Sequence, residues 1–236
     1  NNKQAYFASD NPAERVVWER IRLADPNTGE IPYNIRQKEM IFAKTLPKSA
    51  AMSKATWLHR GPYNVGGRTR ALAMDILDEN ILFAGGASGG MFRSTNGGQS
   101  WVMTTDPNQL HNVTCVSQDK RAGKENIWYF GSGELTGSSA SGGEAYYGGN
   151  GIYKSVDGGL SWDSLSVTAT NTNSFDSNFD FIWNIETDPS NDSLDVVYAA
   201  TYGTIYRSEN GGATWVKELG GGSTYYNNIE VTSSGA

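Results

Sequence analysis

The sequence is poor in the residues that build metal sites, disulfides and membrane spans. It has one cysteine (Cys115), two histidines and only 19% charged residues among 236. A lone cysteine excludes an intrachain disulfide and a cysteine-built metal centre. His59 and His111 stand without a His-x-x-x-His spacing or an acid cluster, so no metal site is expected. No phosphate-binding glycine motif with its lysine is present, and no cofactor is expected. No apolar run approaches the ~18 residues of a membrane span. The net charge of −6 argues against a broad basic face, and so against nucleic acid as a partner. Residues 1–10 lack a basic stretch followed by an apolar one. The chain is therefore either not exported or a mature one with its signal peptide removed. The absence of disulfides fits bacterial export or the cytosol better than a secreted eukaryotic domain.

What is abundant is glycine (28 residues) and aromatic side chains (11%, with seven Trp and twelve Tyr). So many aromatics would not stay solvated in a disordered chain. The composition is that of a turn-rich, mostly β protein.

An internal repeat organises the chain. Three octapeptides align without gaps, at Ser94–Trp101, Ser155–Trp162 and Ser208–Trp215, with the pattern S-x-[DN]-G-G-x-[ST]-W. An aromatic-basic pair precedes each one: Phe92-Arg93, Tyr153-Lys154 and Tyr206-Arg207. Asn or Asp followed by Gly-Gly tolerates the positive φ that tight β-hairpins require. Ser94, Asn96, Ser155, Asp157, Ser208 and Asn210 supply oxygens that lock such a turn onto its own backbone. Gly98, Gly159 and Gly212 complete it, and Trp101, Trp162 and Trp215 open the next strand with a flat packing surface.

Each octapeptide sits in a pattern of four short strands. The first copy reads 70–76, 81–84, 90–94 and 100–104; the second 112–118, 127–131, 151–155 and 161–165; the third 181–186, 196–200, 204–208 and 214–218. Short strands, regular turns and an aromatic in each hairpin predict an all-β fold, a β-propeller of four-stranded blades. Residues 56–236 are expected to hold three blades and one further strand over 226–232. Propellers close with about four to eight blades, so the ring is incomplete in this chain. Residues 1–55 read as a helical N-terminal extension. Pro12 stands at a first helical position with an acid close behind, and Ala13, Val17, Ile21 and Ala24 recur at helical spacing. A second helix begins near Asn34 and ends at Leu46-Pro47.

Candidate binding residues lie at the blade end opposite the octapeptide turns. Arg68 and Arg70 share one face by strand alternation where the first inner strand begins. Blade two carries a long glycine-rich insertion there, from Gly131 to Gly151, with Glu134, Glu144, Tyr146 and Tyr147 as ligand-contacting candidates. No catalytic constellation accompanies them.

The octapeptides resemble the Asp-box, or BNR repeat, of sialidases, sortilin-type receptors and xyloglucanase-type glycosidases, where the box is a fold element on the outer edge of a propeller blade. A sialidase would add three arginines from different blades; the inner strands after the first contain none. The run Phe83–Arg93 is similar to the first blade of xyloglucanase-type enzymes, whose pattern carries a catalytic acid just before a Gly-Gly pair. Here Ala87-Ser88 stands in that place. Over nearly its whole length, through Gly61–Arg70, Gly131–Glu134, Gly151–Ser155 and the leader Asp25–Pro32, the chain resembles the large sortilin-like Asp-box proteins of Bacteroidetes. That resemblance implies a type IX secretion cargo, extracellular or at the outer cell surface. It implies partners among proteins, the secretion apparatus or glycans. It also implies O-glycosylation at Ser164 and Ser193, within Asp163-Ser164-Leu165 and Asp192-Ser193-Leu194. Two functions are carried forward: a non-catalytic propeller making protein or glycan contacts, and a glycoside hydrolase whose carboxylates lie partly outside this segment. The absence of paired acids favours the first.

Overall fold

The computed structural model describes residues 12–33, 35–46, 67–109, 112–135, 147–172, 174–225 and 228–235. The chain divides into two compact units, Asn1–Pro47 and Lys48–Ala236. The first unit holds α1 (Pro12–Leu23) and α2 (Ile35–Thr45). In α1, Glu14 lies in the first turn and Arg20 and Arg22 in the last, as the helix dipole favours.

The second unit consists of antiparallel sheets. Blade 1 has the strand order β1 (Thr69–Met74), β2 (Leu82–Gly86), β3 (Gly90–Ser94) and β4 (Val102–Met103). Blade 2 repeats it with β5 (Val113–Gln118), β6 (Trp128–Ser132), β7 (Ile152–Ser155) and β8 (Asp163–Ser164). Blade 3 is formed by β9 (Ile182–Thr187), β10 (Val197–Ser208) and β11 (Val216–Tyr225). β10 contains two strands of the repeat. Its first half pairs with β9 and its second with β11. The Arg207 guanidinium nevertheless lies 5.9 Å from the centre of the Tyr198 ring, nine residues earlier. A straight strand would separate them by about 30 Å, so β10 folds back on itself at Tyr202-Gly203, where Gly203 has φ 70°. The fold is a β-propeller of four-stranded blades.

Inner strands β1, β5 and β9 pack side by side. Thr114 Oγ1 donates to the carbonyls of Gly131 (3.0 Å) and Ile182 (2.5 Å), and Thr187 Oγ1 to that of Gln118 (2.9 Å). Blade 2 lies between the other two, and β6 is buried at every position. β1 alternates instead: Ala71 is buried, while Leu72 and Met74 are 72% and 58% exposed. Between blades 1 and 2 the core gathers Phe83, Met91, Val113, Trp128, Phe130 and Trp162. Between blades 2 and 3 it gathers Cys115, Tyr129, Ile152, Ile182, Ile185 and Val197.

The octapeptides form the expected turns. Ser94 Oγ accepts from the amides of Asn96 and Gly98, and Asn96 Oδ1 from that of Ser100 (2.9 Å). Ser155 and Asp157, and Ser208 and Asn210, repeat those bonds. At Asp157, partial burial opposes ionisation. The donors Ser161, Ser155 and the Leu160 amide outweigh it and hold the carboxyl down at about 2.

Two details depart from exact repetition of the blade pattern. The three tryptophans occupy matching chain positions, but their indoles do not match. Trp101 and Trp215 donate back to Gly98 (2.9 Å) and Gly212 (3.1 Å), whereas Trp162 donates across the seam to Thr104 Oγ1 (3.0 Å) and is 3% exposed. Aromatic neighbours draw it in. Its ring meets Phe130 at 4.8 Å and Phe83 at 6.3 Å, both edge-on. The second is the segment 226–232, of which residues 226 and 227 lie outside the described residues. Residues 228–231 pair with no strand among the described residues, and β11 runs on to Tyr225. An inner strand pairs with the second strand of its own blade, and no such strand is present for it among the described residues. The segment still lies beside β9, where Asn184 Nδ2 donates to Asn228 Oδ1 (2.5 Å) and the Ile229 carbonyl (2.9 Å).

Cys115 is 7% exposed, and burial pushes its thiol up to about 12. The native protein should therefore resist a thiol reagent under conditions where the unfolded chain labels fully.

Candidate functional site

β1, β5 and β9 all begin at the blade end opposite the octapeptide turns, and β6 ends there. This geometry brings Arg68 and Arg70 of blade 1 against Glu134 of blade 2. Arg68 Nη1 donates to Glu134 Oε1 (2.7 Å), and Arg68 Nη2 donates to Oε2. Arg70 Nε lies 3.2 Å from Oε1. Strand alternation turns both arginines the same way, so one carboxylate meets two guanidiniums. Such a forked pair fixes geometry as well as charge.

Glu134 is 3% exposed, and the backbone around it is tied down on several sides. Gly133, at φ 89°, turns the chain out of β6. Glu134 and Tyr147 then exchange backbone hydrogen bonds at 2.8 and 2.9 Å, closing the neck of the insertion. Asn112 Nδ2 holds the far side through the Gly148 carbonyl (2.6 Å), and the Gly149 amide donates to the Asp180 carbonyl (2.9 Å). Asn112 Oδ1 is buried without a hydrogen-bond partner among the described residues. The Arg68 carbonyl accepts from the Ala87 amide (2.9 Å), tying the start of β1 to the turn between β2 and β3.

Of the candidates, Arg68, Arg70 and Glu134 come together, and Tyr147 flanks them with 45% of its surface exposed. Tyr146 and Glu144, together with His59 and His111, lie outside the described residues. Ser164 and Ser193 are exposed, as attachment of a glycan requires. No group of three or more His, Cys, Asp or Glu among the described residues could hold a metal ion. Asn112 was not singled out by sequence reasoning. Its lone signal was a polar residue directly before an apolar inner strand.

The chemistry of the site is that of a salt-bridged platform. Arg70 is about one-third exposed, and its terminal nitrogens have no partner among the described residues. Among the described residues Glu134 has no second carboxylate opposite it. Asp180 is buried. Burial raises its pKa, while the amides of Asp176 (2.9 Å) and Ser177 (2.8 Å) bond its carboxyl group. Asp75 lies past the other end of β1, where it accepts from Leu77, Asp78 and Gln118. Five residues of extended chain, about 17 Å, separate it from Arg70. Glycosidase carboxylates stand about 5 to 9.5 Å apart. Beside Arg68, the turn that carries an acid in xyloglucanase-type enzymes presents the buried Ala87.

No family model matches the chain, and no curated protein matches it. Among solved structures it is similar to an ancestral GH74 enzyme, with 25% identity and a TM-score of 0.45 over 63% of this chain and 18% of the other. It is also similar to the GH74 enzyme of Niastella koreensis, with 22% identity and a TM-score of 0.41 over 63% and 22%. A third is YCF48 bound to D1 peptide, with 16% identity and a TM-score of 0.46 over 72% and 46%. The chain thus spans about a fifth of the GH74 enzymes and under half of YCF48. At TM-scores below 0.5 these likenesses decide nothing about its chemistry, and the fold rests on the sheets themselves.

Proposed function

We propose that the chain is part of a non-catalytic binding propeller, and that the face bearing Arg68, Arg70, Glu134 and Tyr147 contacts carboxylate groups of a protein or glycan partner. The observation that carries this reading is the state of Glu134: buried and gripped by Arg68 and Arg70, it acts as a counter-ion for two cations. Two guanidiniums against one carboxylate leave a positive charge at the platform, and Arg70 directs it outward. The exposed Tyr147 ring beside it offers a flat surface for a sugar or a peptide side chain. A hydrolase would need Glu134 exposed to substrate with a second acid in range.

The Asp-box pattern and the Bacteroidetes-like phrases support a secreted or surface-displayed protein carried by the type IX route, with Ser164 and Ser193 as glycan acceptors. Titration calorimetry with a glutamate-rich peptide and with an oligogalacturonate tests the platform. Arg70→Ala should weaken whichever ligand binds by about tenfold or more, as loss of a charged hydrogen-bond donor does. Equal binding by Arg70→Ala and the parent chain would contradict it.

A further inference from the structure

Three asparagines precede a glycine, Asn96, Asn150 and Asn210, and two of them fill the third place of an octapeptide. Asparagine is a thermolabile residue, and a following glycine has no side chain to shield its amide nitrogen. That nitrogen, its proton lost to water, can attack the asparagine Cγ. The Cγ–Nδ2 bond breaks, the side-chain nitrogen departs as ammonia, and water opens the cyclic imide to aspartate or isoaspartate. The sum consumes water and turns a neutral carboxamide into a carboxylate.

The octapeptide turn ties up both partners of that attack. On the nucleophile's side, the Gly97 amide donates to the Asn80 carbonyl (3.0 Å) and the Gly211 amide to the Asp195 carbonyl (2.8 Å). On the electrophile's side, Asn96 Oδ1 accepts from Ser94 Oγ (3.0 Å) and the Ser100 amide (2.9 Å), and Nδ2 donates to Ser100 Oγ (2.9 Å). Asn210 is held in the same way by Ser208 Oγ (3.0 Å), the Thr214 amide (2.8 Å) and Thr214 Oγ1 (2.8 Å). The attack has to break these bonds first, so it waits on local opening of the turn.

The second octapeptide shows how the turn treats the aspartate product. Asp157 stands in the same place, and its Oδ1 accepts from Ser155 Oγ (2.7 Å) and the Ser161 amide (3.0 Å), as the asparagines do. The hydroxyl at the seventh place changes its role. Ser161 Oγ donates to Asp157 Oδ2 (2.6 Å), whereas Ser100 Oγ and Thr214 Oγ1 accept from the carboxamides. A hydroxyl does either by rotating its hydrogen. Serine or threonine at that place therefore fits the amide and the acid alike. Isoaspartate does not fit: it lengthens the main chain within the turn and displaces the amides of Gly98 and Ser100 from Ser94 Oγ and the side-chain oxygen. We infer that Asn96 and Asn210 are deamidation sites that folding closes, and that the turn takes up the aspartate product without rearrangement.

Peptide mapping by mass spectrometry tests this on the full chain, held in mildly alkaline buffer with and without urea at a concentration that unfolds it. Conversion at Asn96 and Asn210 should be slower in the folded chain by about tenfold or more. Ser94→Ala removes the hydroxyl that bonds Asn96 Oδ1 and the Gly98 amide. In that variant Asn96 should convert faster than in the parent, while Asn210, whose own turn is intact, keeps the parent's rate. Asn96→Asp should melt within a degree or two of the parent, since Ser94–Trp101 holds no carboxylate to repel the new one. The comparison of folded and unfolded parent decides the matter even where Ser94→Ala fails to fold. Equal rates in the folded and unfolded parent would overturn the inference, as would a melting temperature lowered by about 5 °C or more in Asn96→Asp.

Discussion

Replacing Trp162 by Ala should destabilise the protein by about 3–5 kcal/mol, whereas the same change at Trp101 should cost about 1 kcal/mol. The two residues hold the same place in the repeat, so a difference between them measures the seam. Trp162 fills the space between blades 1 and 2. It packs on Phe130 and Phe83, donates to Thr104, and its carbonyl accepts from Gln109 Nε2. Truncation leaves a cavity lined by Phe83, Trp128 and Phe130, whose positions within two sheets prevent collapse. Trp101 packs on its own turn and is 38% exposed. Denaturant melts of both variants would show the contrast as a large shift in midpoint for one and a small shift for the other.

Gly133→Ala should be as damaging, for a reason of backbone geometry. At φ 89° an L-residue costs about 1–2 kcal/mol. The added Cβ would stand 1.7 Å from the Asp180 carbonyl oxygen and 2.9 Å from the Gly149 amide, both backbone atoms that cannot swing away. Overpacking of this kind adds about 1–3 kcal/mol. We expect a melting temperature lowered by about 10 °C, or failure to fold. Gly148→Ala is the control. It lies in the same neck with nothing within 4 Å of a built Cβ, and should melt within a degree or two of the parent.

Much of this fold was legible because it repeats. Three copies of the octapeptide, with Ser and Asn or Asp at fixed places, determine three identical hairpin turns, and the strands before and after them follow. The orientation of Trp162 was not legible. The repeat is the same in all three copies, and the indole is turned by Phe130 and Phe83, which come from other strands. The paired arginines were readable from alternation, and Glu134 from its place in a glycine-rich insertion. Their meeting was not, since it depends on blades 1 and 2 packing so that residues 66 apart in sequence touch. The aromatic-basic pairs were visible as a pattern, but the hydrogen bonds from Arg93 and Lys154 to the Gly158 and Gly211 carbonyls of the next octapeptide (3.0 Å each) depend on how the blades pack. The network around Arg121 was missed for the same reason. Its guanidinium is bonded to Asp119 and Asp195 and donates to the carbonyls of Asn191 and Leu194, and its hydrogen bonds to Asp119 push its pKa further up despite burial. In the sequence it is one arginine in a polar loop.

Incubation of the chain with an acidic oligosaccharide or peptide it binds, with products and complex followed in the same sample, tests the central claim most directly. The salt-bridged state of Glu134 predicts a saturable complex and no cleavage, with binding reduced in Arg70→Ala. Steady release of cleaved product, abolished by Glu134→Gln, would contradict it and make Glu134 a catalytic acid.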